Sequence, residues 1–354
     1  MKKITIEASS EYDILIEKGL LDRVGELSVP VTGKVKAAVV SDDTVFSLYG
    51  ERVVSSLEGA GYTGITSFVI PHGEESKNLD SFTRLITYLA ETGYTRSDVV
   101  FALGGGVVGD LAGFASACFL RGIRFIQIPT TLLACVDSSV GGKTAVDIPM
   151  GKNLVGAFHQ PSLVLCDPTV LDTLPPETFA CGMAEVIKYG MICDRPLFEL
   201  LAASGDPREN IETIIEMCVK DKAAIVGEDE FDTGMRQLLN LGHTIGHGVE
   251  SLSDFSVMHG EAVAIGMAII TRAAAAMGLC PTEDCQSLLG LLRRNALPTS
   301  TEYGAEDIYR KSLSDKKRKG GTITLVVPHG IADSRLISCP VETVLDYIKQ
   351  GLQS

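Results

Sequence analysis

From Met1 to Lys18 apolar and polar residues alternate, with Ile4 and Ile6 and then Tyr12, Ile14 and Ile16 on the repeating face. That period of two predicts a half-buried hairpin. Lys34-Val-Lys-Ala-Ala-Val-Val40 reads as a buried strand ending in Ser41-Asp42-Asp43. Helical spacing then runs to about Gly61, a second strand covers 65–70, and a polar loop, His72-Gly-Glu-Glu-Ser-Lys77, precedes more helical spacing over 78–92. Residues 98–103, 125–129 and 163–166 continue the strand series. Strands alternating with helices call for a parallel sheet with helices on both faces. After Thr173-Leu-Pro-Pro176 the texture changes to helical spacing, rich in Ala, Leu, Ile and Met, as far as about Arg294. The proline pair marks the expected boundary. The reading is an α/β domain over 1–175 and a mainly α-helical domain over 176–354. A basic run, Asp315-Lys-Lys-Arg-Lys-Gly-Gly321, closes the helical region, and 322–327 reads as a returning strand.

At 354 residues, 45% hydrophobic and 21% charged, the chain has material for two cores. A net charge of −14 argues against general binding to nucleic acid or a membrane surface. An anionic substrate would need local clusters of Lys and Arg. The nine cysteines show no C-x-x-C spacing and read as reduced thiols of a cytosolic core. The first residues lack the apolar run of a signal peptide, and the run 262–270 is too short to span a bilayer. A cytoplasmic protein is expected.

Candidate chemistry begins at Leu103-Gly-Gly-Gly-Val107-Val108-Gly109-Asp110, which follows a strand and opens a helix. Gly104, Gly106 and Gly109 satisfy G-x-G-x-x-G, so backbone amides could approach a pyrophosphate at a helix N-terminus. The acidic residue that usually follows about twenty positions later is missing, since nothing acidic lies between Asp110 and Asp137. Asp42, at the end of an earlier strand, is the alternative partner for a ribose. Asp137-Ser-Ser-Val-Gly-Gly-Lys143-Thr144 looks like a P-loop but has Asp137 where the motif needs glycine, and a proline-stopped segment follows. That reading is rejected. What remains is a polar loop carrying Asp137 and Lys143, with Lys152-Asn153 behind it.

Three of the six histidines lie within seventeen positions, in Asn240-Leu-Gly-His-Thr-Ile-Gly-His247 and His259-Gly-Glu261. His243 and His247 are i,i+4 and share one face of a helix. Gly242, Gly246 and Gly248 imply that something bulky approaches the backbone there. With Arg236 and Glu261 nearby, the cluster reads as a metal or catalytic site. Glu185 and Lys188 stand one turn apart in the apolar helix Ala184-Glu-Val-Ile-Lys188. They form either a structural pair or, with two histidines, the carboxylate of a three-ligand zinc site.

These stretches, together with Leu120-Arg-Gly-Ile-Arg-Phe125, Ile128-Pro-Thr-Thr131 and Gly151-Lys-Asn153, resemble the 3-dehydroquinate synthases of the sugar-phosphate cyclase superfamily. The motifs run in order from about Val35 to Val327. The resemblance implies that the α/β N-terminal domain is a Rossmann-like nucleotide-binding domain for NAD, that the mainly α-helical C-terminal domain is metal-binding, and that the protein is a homodimer with its active site in a cleft. It also implies bound NAD⁺ that is used and regenerated as 3-deoxy-arabino-heptulosonate 7-phosphate becomes 3-dehydroquinate and phosphate. By family motif Glu185, His243 and His259 hold zinc or cobalt. Asp42, Glu74, Lys77, Gly105, Gly106, Val107, Val108, Gly109, Asp110, Thr130, Thr131, Lys143, Lys152 and Thr173 line the NAD site. Asp137, Lys143, Asn153, Lys188, Lys222, Arg236, Asn240, His247 and Lys316 or Lys317 face the substrate, and Arg121 is offered across the dimer. His247 is the expected general acid–base group, on one helix with Arg236 and Asn240. Asp232 stands where the family usually has glutamate, and Cys135 where a polar residue is commoner, so the latter reads as packing. The competing readings are a cyclase of sedoheptulose 7-phosphate or glucose 6-phosphate, a metal-dependent polyol dehydrogenase, and a non-enzymatic sensor. The sugar phosphates named lack the carboxylate that Arg236, Asn240, Lys222 and the 316–317 lysines would suit.

Overall fold

A computed structural model describes residues 1–254, 256–313 and 321–353. The chain forms two compact units, Met1–Leu174 with Ile211–Phe231, and Pro175–Asn210 with Asp232–Ser354.

The first unit is built on seven strands: β1 (Lys2–Ile6), β2 (Tyr12–Ile16), β3 (Lys36–Asp42), β4 (Thr63–Ile70), β5 (Val99–Gly104), β6 (Arg124–Pro129) and, after a separate hairpin of β7 (Lys143–Ile148) and β8 (Gly151–Phe158), β9 (Leu163–Cys166). The sheet order is β1-β2-β9-β6-β5-β3-β4. β1 and β2 form the predicted antiparallel hairpin, with Ile4 opposite Ile14. All other neighbours in the sheet are parallel. β3, β5, β6 and β9 are buried almost along their whole length, so their side chains are apolar without alternation. One core layer packs Val40, Val100 and Phe125 against Leu85, Leu111 and Ala115 of the helices Leu79–Glu91 and Gly106–Cys118. Val146 of the hairpin joins it. From sequence that hairpin reads only as a polar loop, because glycine, lysine and proline break its alternation.

The helix Ile211–Glu228 belongs with this first unit, where it packs on β1 and on the turn Ala134–Ser138. Nothing in its spacing distinguishes it from the helices that precede and follow it.

In the second unit the helix Pro176–Ile192 opens with proline at its first turn and is buried continuously from Phe179 to Ile192. A helix covered on every side is central to its unit. The helices His243–Leu252 and His259–Ala276 lie close together, and their glycines explain how. Gly242 caps the first of them at φ +81°, a left-handed conformation that favours glycine. A Cβ on Gly246 would come 2.8 Å from Ala262 O, and one on Gly266 would come 2.0 Å from Gly242 O. The bulk inferred beside Gly242, Gly246 and Gly248 is thus protein, much of it the next helix, rather than a ligand. Residues 322–327 do not return to the main sheet. They lie in β10 (Thr322–Gly330), which pairs antiparallel with β11 (Asp333–Pro340). Among the described residues no helix is long and apolar enough to cross a membrane.

Candidate active site

In the first unit the strand order reverses between β3 and β5, the place where open α/β sheets collect ligands at their carboxyl ends. Asp42 ends β3, Gly104 ends β5, and Thr130 follows β6. The Asp42 carboxylate caps the helix after it by accepting the Val45 N–H at 2.9 Å, and burial raises its pKa. Gly105 caps the helix Gly106–Cys118, whose first turn carries Val107, Val108 and Gly109. A Cβ on Gly105 would press within 2.9 Å of Thr131 Cγ2. The Thr130 N–H donates to Gly104 O at 3.0 Å, so the ends of β5 and β6 are joined. Thr173 is exposed and shares a 2.6 Å hydrogen bond with the Tyr49 hydroxyl.

Behind the glycine turn Lys77 is buried among three carboxylates: Glu74 at 2.6 Å, Asp110 at 3.4 Å and Asp147 at 4.0 Å. Burial alone would lower the Lys77 pKa, but Asp110 and Glu74 outweigh it and hold the lysine charged. Asp110 is pushed up to about 7, first by burial and further by Glu74 and Asp147, against the pull of Lys77. Asp147 carries no signal in the sequence that would single it out. Its carboxylate accepts the Asn153 N–H at 2.7 Å, and its own N–H donates to Lys77 O at 2.8 Å. It therefore fastens the hairpin bearing Lys143, Lys152 and Asn153 to the Lys77 segment. Asn153 itself is left-handed at φ +56°. In the same unit the Lys222 ammonium, from Ile211–Glu228, donates to Asp137 Oδ1 at 2.6 Å and to its backbone oxygen at 2.5 Å. The exposed Arg121 follows Leu120, both in left-handed conformations at φ +68° and +51°. Cys135 is buried, with its thiol 3.7 Å from Pro129 O.

The second unit brings Glu185, His243 and His259 together. One ligand atom from each lies within 4.8 Å of the others. Glu185 Oε1 is 3.6 Å from His243 Nε2 and 3.5 Å from His259 Nε2. Two ligands bonded at ~2.0–2.1 Å to one tetrahedral ion stand about 3.3–3.4 Å apart, so this spacing suits a shared metal. The other Glu185 oxygen is paired with the Lys188 ammonium, both side chains fully buried. His243 turns its Nδ1 to Leu241 O at 3.2 Å, and His259 Nδ1 lies 3.4 Å from Glu250 Oε1. Both imidazoles are thus oriented with Nε2 toward Glu185. A carboxylate oxygen and two such nitrogens fit a divalent zinc-type ion with one position left open. The His243 pKa falls to about 3, chiefly through burial, whereas His259 rises to about 9 because Glu185 and Glu250 outweigh its burial. Sequence reasoning misses Glu250, although the shared helical face of 243, 247 and 250 is a signal that could find it.

His247 is exposed on the helix that begins at His243, its ring 5.5 Å from that of His243 and 6.1 Å from that of His259. Arg236 and Asn240 do not share that helix, contrary to the expectation from sequence. They lie in a 3-10 stretch, Met235–Asn240, which Gly242 separates from it by its left-handed turn. Arg236 is 1% exposed and Asn240 is exposed. Asp232 is half-buried and left-handed at φ +58°. Lys316 and Lys317 lie outside the described residues.

Comparison with known proteins agrees with this geometry. A family model described as 3-dehydroquinate synthase N-terminal matches residues 67–181, and one described as 3-dehydroquinate synthase C-terminal matches 182–318. A 3-dehydroquinate synthase of Caulobacter vibrioides (strain NA1000 / CB15N) is 46% identical over 337 residues, covering 91% of each chain. Among solved structures, 2-deoxy-scyllo-inosose synthase complexed with carbaglucose-6-phosphate, NAD⁺ and Co²⁺ superposes with a TM-score of 0.88 at 26% identity, covering 99% of this chain and 100% of that one. The 2-epi-5-epi-valiolone synthase of Streptomyces hygroscopicus subsp. jinggangensis 5008, with NAD⁺ and Zn²⁺ bound, gives 0.89 at 27%, covering 99% of both. The likeness in fold thus extends across the cyclases, while sequence identity is far higher to one branch of them: the chain belongs to the 3-dehydroquinate synthase family.

Proposed function

We propose that the protein converts 3-deoxy-D-arabino-heptulosonate 7-phosphate to 3-dehydroquinate and phosphate, as a carbon–oxygen lyase of the shikimate pathway. The course is transient oxidation, elimination of phosphate, re-reduction and intramolecular aldol closure. The observation that carries this reading is the convergence of Glu185, His243 and His259 in a chain of this family. A Zn²⁺ or Co²⁺ ion on those three side chains supplies Lewis acidity at an open position, and NAD⁺ supplies a hydride acceptor that is restored within each turnover.

The chain's own residues do the rest. Asp42, Glu74, Lys77, Gly105–Asp110, Thr130, Thr131, Lys143, Lys152 and Thr173 bind and orient the dinucleotide, with helix Gly106–Cys118 directing its N-terminal amides to the pyrophosphate. Lys188 neutralises Glu185 from the side away from the histidines, so the carboxylate keeps Oε1 for the metal. Arg236, buried and planar, suits a bidentate grip on the substrate carboxylate. Asn240 hydrogen-bonds the substrate beside it. Asp137, Lys143, Asn153 and Lys222 hold the sugar hydroxyls and phosphate, with Asp137 and Lys222 already paired at 2.6 Å. One of Lys316 and Lys317 adds a further cation. His247 moves protons at the reacting oxygens, a role suited to an exposed imidazole near the ligand cluster. Arg121, exposed after a strained turn, reaches the phosphate of a partner subunit in a cytoplasmic homodimer.

The test is phosphate release from the heptulosonate phosphate, with and without NAD⁺ and a chelator. Release that needs NAD⁺ and is stopped by the chelator, with no net NADH, supports the reading. Activity indifferent to both, or a preference for sedoheptulose 7-phosphate or glucose 6-phosphate, overturns it.

A further inference from the structure

We infer that Glu250 is a positioning residue for the metal site: it fixes the tautomer and aim of His259 without itself binding the ion. The inference rests on the metal reading of Glu185, His243 and His259. Glu250 lies near the end of the helix His243–Leu252, seven residues after His243, and only 3% of it is exposed. A carboxylate buried so far needs a compensating partner. Its Oε1 is 3.4 Å from His259 Nδ1, while the opposite nitrogen of that ring, Nε2, is 3.5 Å from Glu185 Oε1.

A neutral imidazole carries one N–H and one lone pair. An acceptor at Nδ1 places the hydrogen there and leaves the Nε2 lone pair facing Glu185 and His243. His243 shows the same arrangement with a different acceptor, since its Nδ1 lies 3.2 Å from Leu241 O. The two histidines thus have matched tautomers, one set by a backbone carbonyl and the other by a carboxylate. The carboxylate adds negative charge close to the ion and strengthens His259 as a donor.

A rival arrangement exists: one ligand atom each from His247, Glu250 and His259 also lies within 4.8 Å of the others, so Glu250 could bind the ion directly. The first set is favoured because its three donors face one another while both Nδ1 atoms have other acceptors. The two arrangements make opposite predictions for His247.

The test titrates full-length apoprotein with Zn²⁺ and Co²⁺ alone, in competition with a chromophoric chelator. Glu250→Ala is expected to weaken metal binding about 10–100-fold and Glu250→Gln, which keeps an acceptor, several-fold less. His243→Ala should abolish stoichiometric binding and His247→Ala should change the affinity by less than about threefold. Unchanged affinity in folded Glu250→Ala overturns the inference and leaves the metal reading standing. Loss of metal in His247→Ala as complete as in His243→Ala overturns it in favour of the rival set. Failure of the parent protein to bind one ion per chain overturns the metal reading and the inference with it. Imidazole ¹⁵N spectra of the metal-loaded parent protein provide a check that needs no variant. A protonated Nδ1 and metal-bound Nε2 on His259 support the assignment, and the reverse tautomer overturns it.

Discussion

Each unit contains a largely buried cluster of ionisable groups among its described residues, and these two clusters are of opposite kind. In the first, Lys77 sits among Glu74, Asp110 and Asp147. In the second, Glu185 sits among Lys188, His243 and His259. The first has more carboxylates than cations and reduces its excess charge internally, because Lys77 stays charged and Asp110 holds a proton up to about pH 7, while Lys152 acts on Glu74 and Asp147 from outside the cluster. Its hydrogen bonds run to backbone as well, so it acts as a clasp joining the glycine turn, the Lys77 segment and the hairpin. The second has lone pairs converging on a common centre at metal-ligand spacing, which a bound cation satisfies. A buried charged cluster is therefore not evidence of a metal by itself. The direction of the lone pairs, and what holds the far side of each ring, make the distinction.

Substitutions can break or sharpen that contrast. The largest effect is expected at Glu185. Glu185→Gln should remove the metal and cost about 4–6 kcal/mol of transition-state stabilisation, roughly 10³–10⁴-fold in kcat/KM, read by phosphate release. Retention of metal by this variant would place the ion elsewhere. Next comes His247→Ala, with a loss of about 10²–10³-fold in kcat at full metal content, in the range for one acid–base group. Gly246→Ala tests the close helix approach rather than the chemistry. Its methyl would meet Ala262 O at 2.8 Å, so denaturant unfolding should show a loss of about 1–3 kcal/mol.

The smallest effect lies in the first cluster and depends on pH. Asp110 titrates at about 7 when folded, against an ordinary value of 3.8. The folded state therefore binds this proton more tightly, and the stability it contributes is fully present below about pH 3.8 and lost as pH rises through about 7. Asp110→Asn, which keeps the shape and cannot ionise, should flatten that decline by roughly 1–2 kcal/mol between about pH 4.5 and 8, measured by chemical denaturation. A variant whose stability follows the parent's pH profile would show that Asp110 is ionised throughout.

How much of this is legible in the chain follows from the range of each interaction. Val99–Gly104 and Arg124–Pro129 are visible because a strand covered on both faces must be apolar throughout. The β7–β8 hairpin is not visible, because half of it is solvated and its turn is shaped by Asp147 accepting from Asn153. Glu185, His243 and His259 are legible through motif resemblance; spacing alone singles out the His243–His247 pair but leaves their roles open. Asp147 carries no such mark, since its partner Lys77 is distant in sequence, whereas Glu250 is marked only by sharing the helical face of His243 and His247, and its partner lies on another helix. Gly242 and Gly246, on either side of His243, show that something comes close without showing what.

By itself the sequence determined the alternation of strands and helices, the change of texture after Pro176, and the residue types able to bind a dinucleotide and a metal. These depend on local periodicity and on short motifs, which the chain order preserves. The tertiary structure alone decided that Ile211–Phe231 packs with the first unit, that Arg236 and Asn240 stand off the histidine helix, and which nitrogen of each histidine faces Glu185. Those outcomes depend on packing between segments far apart in the chain and on hydrogen-bond direction, and neither is written in the spacing of residues along it.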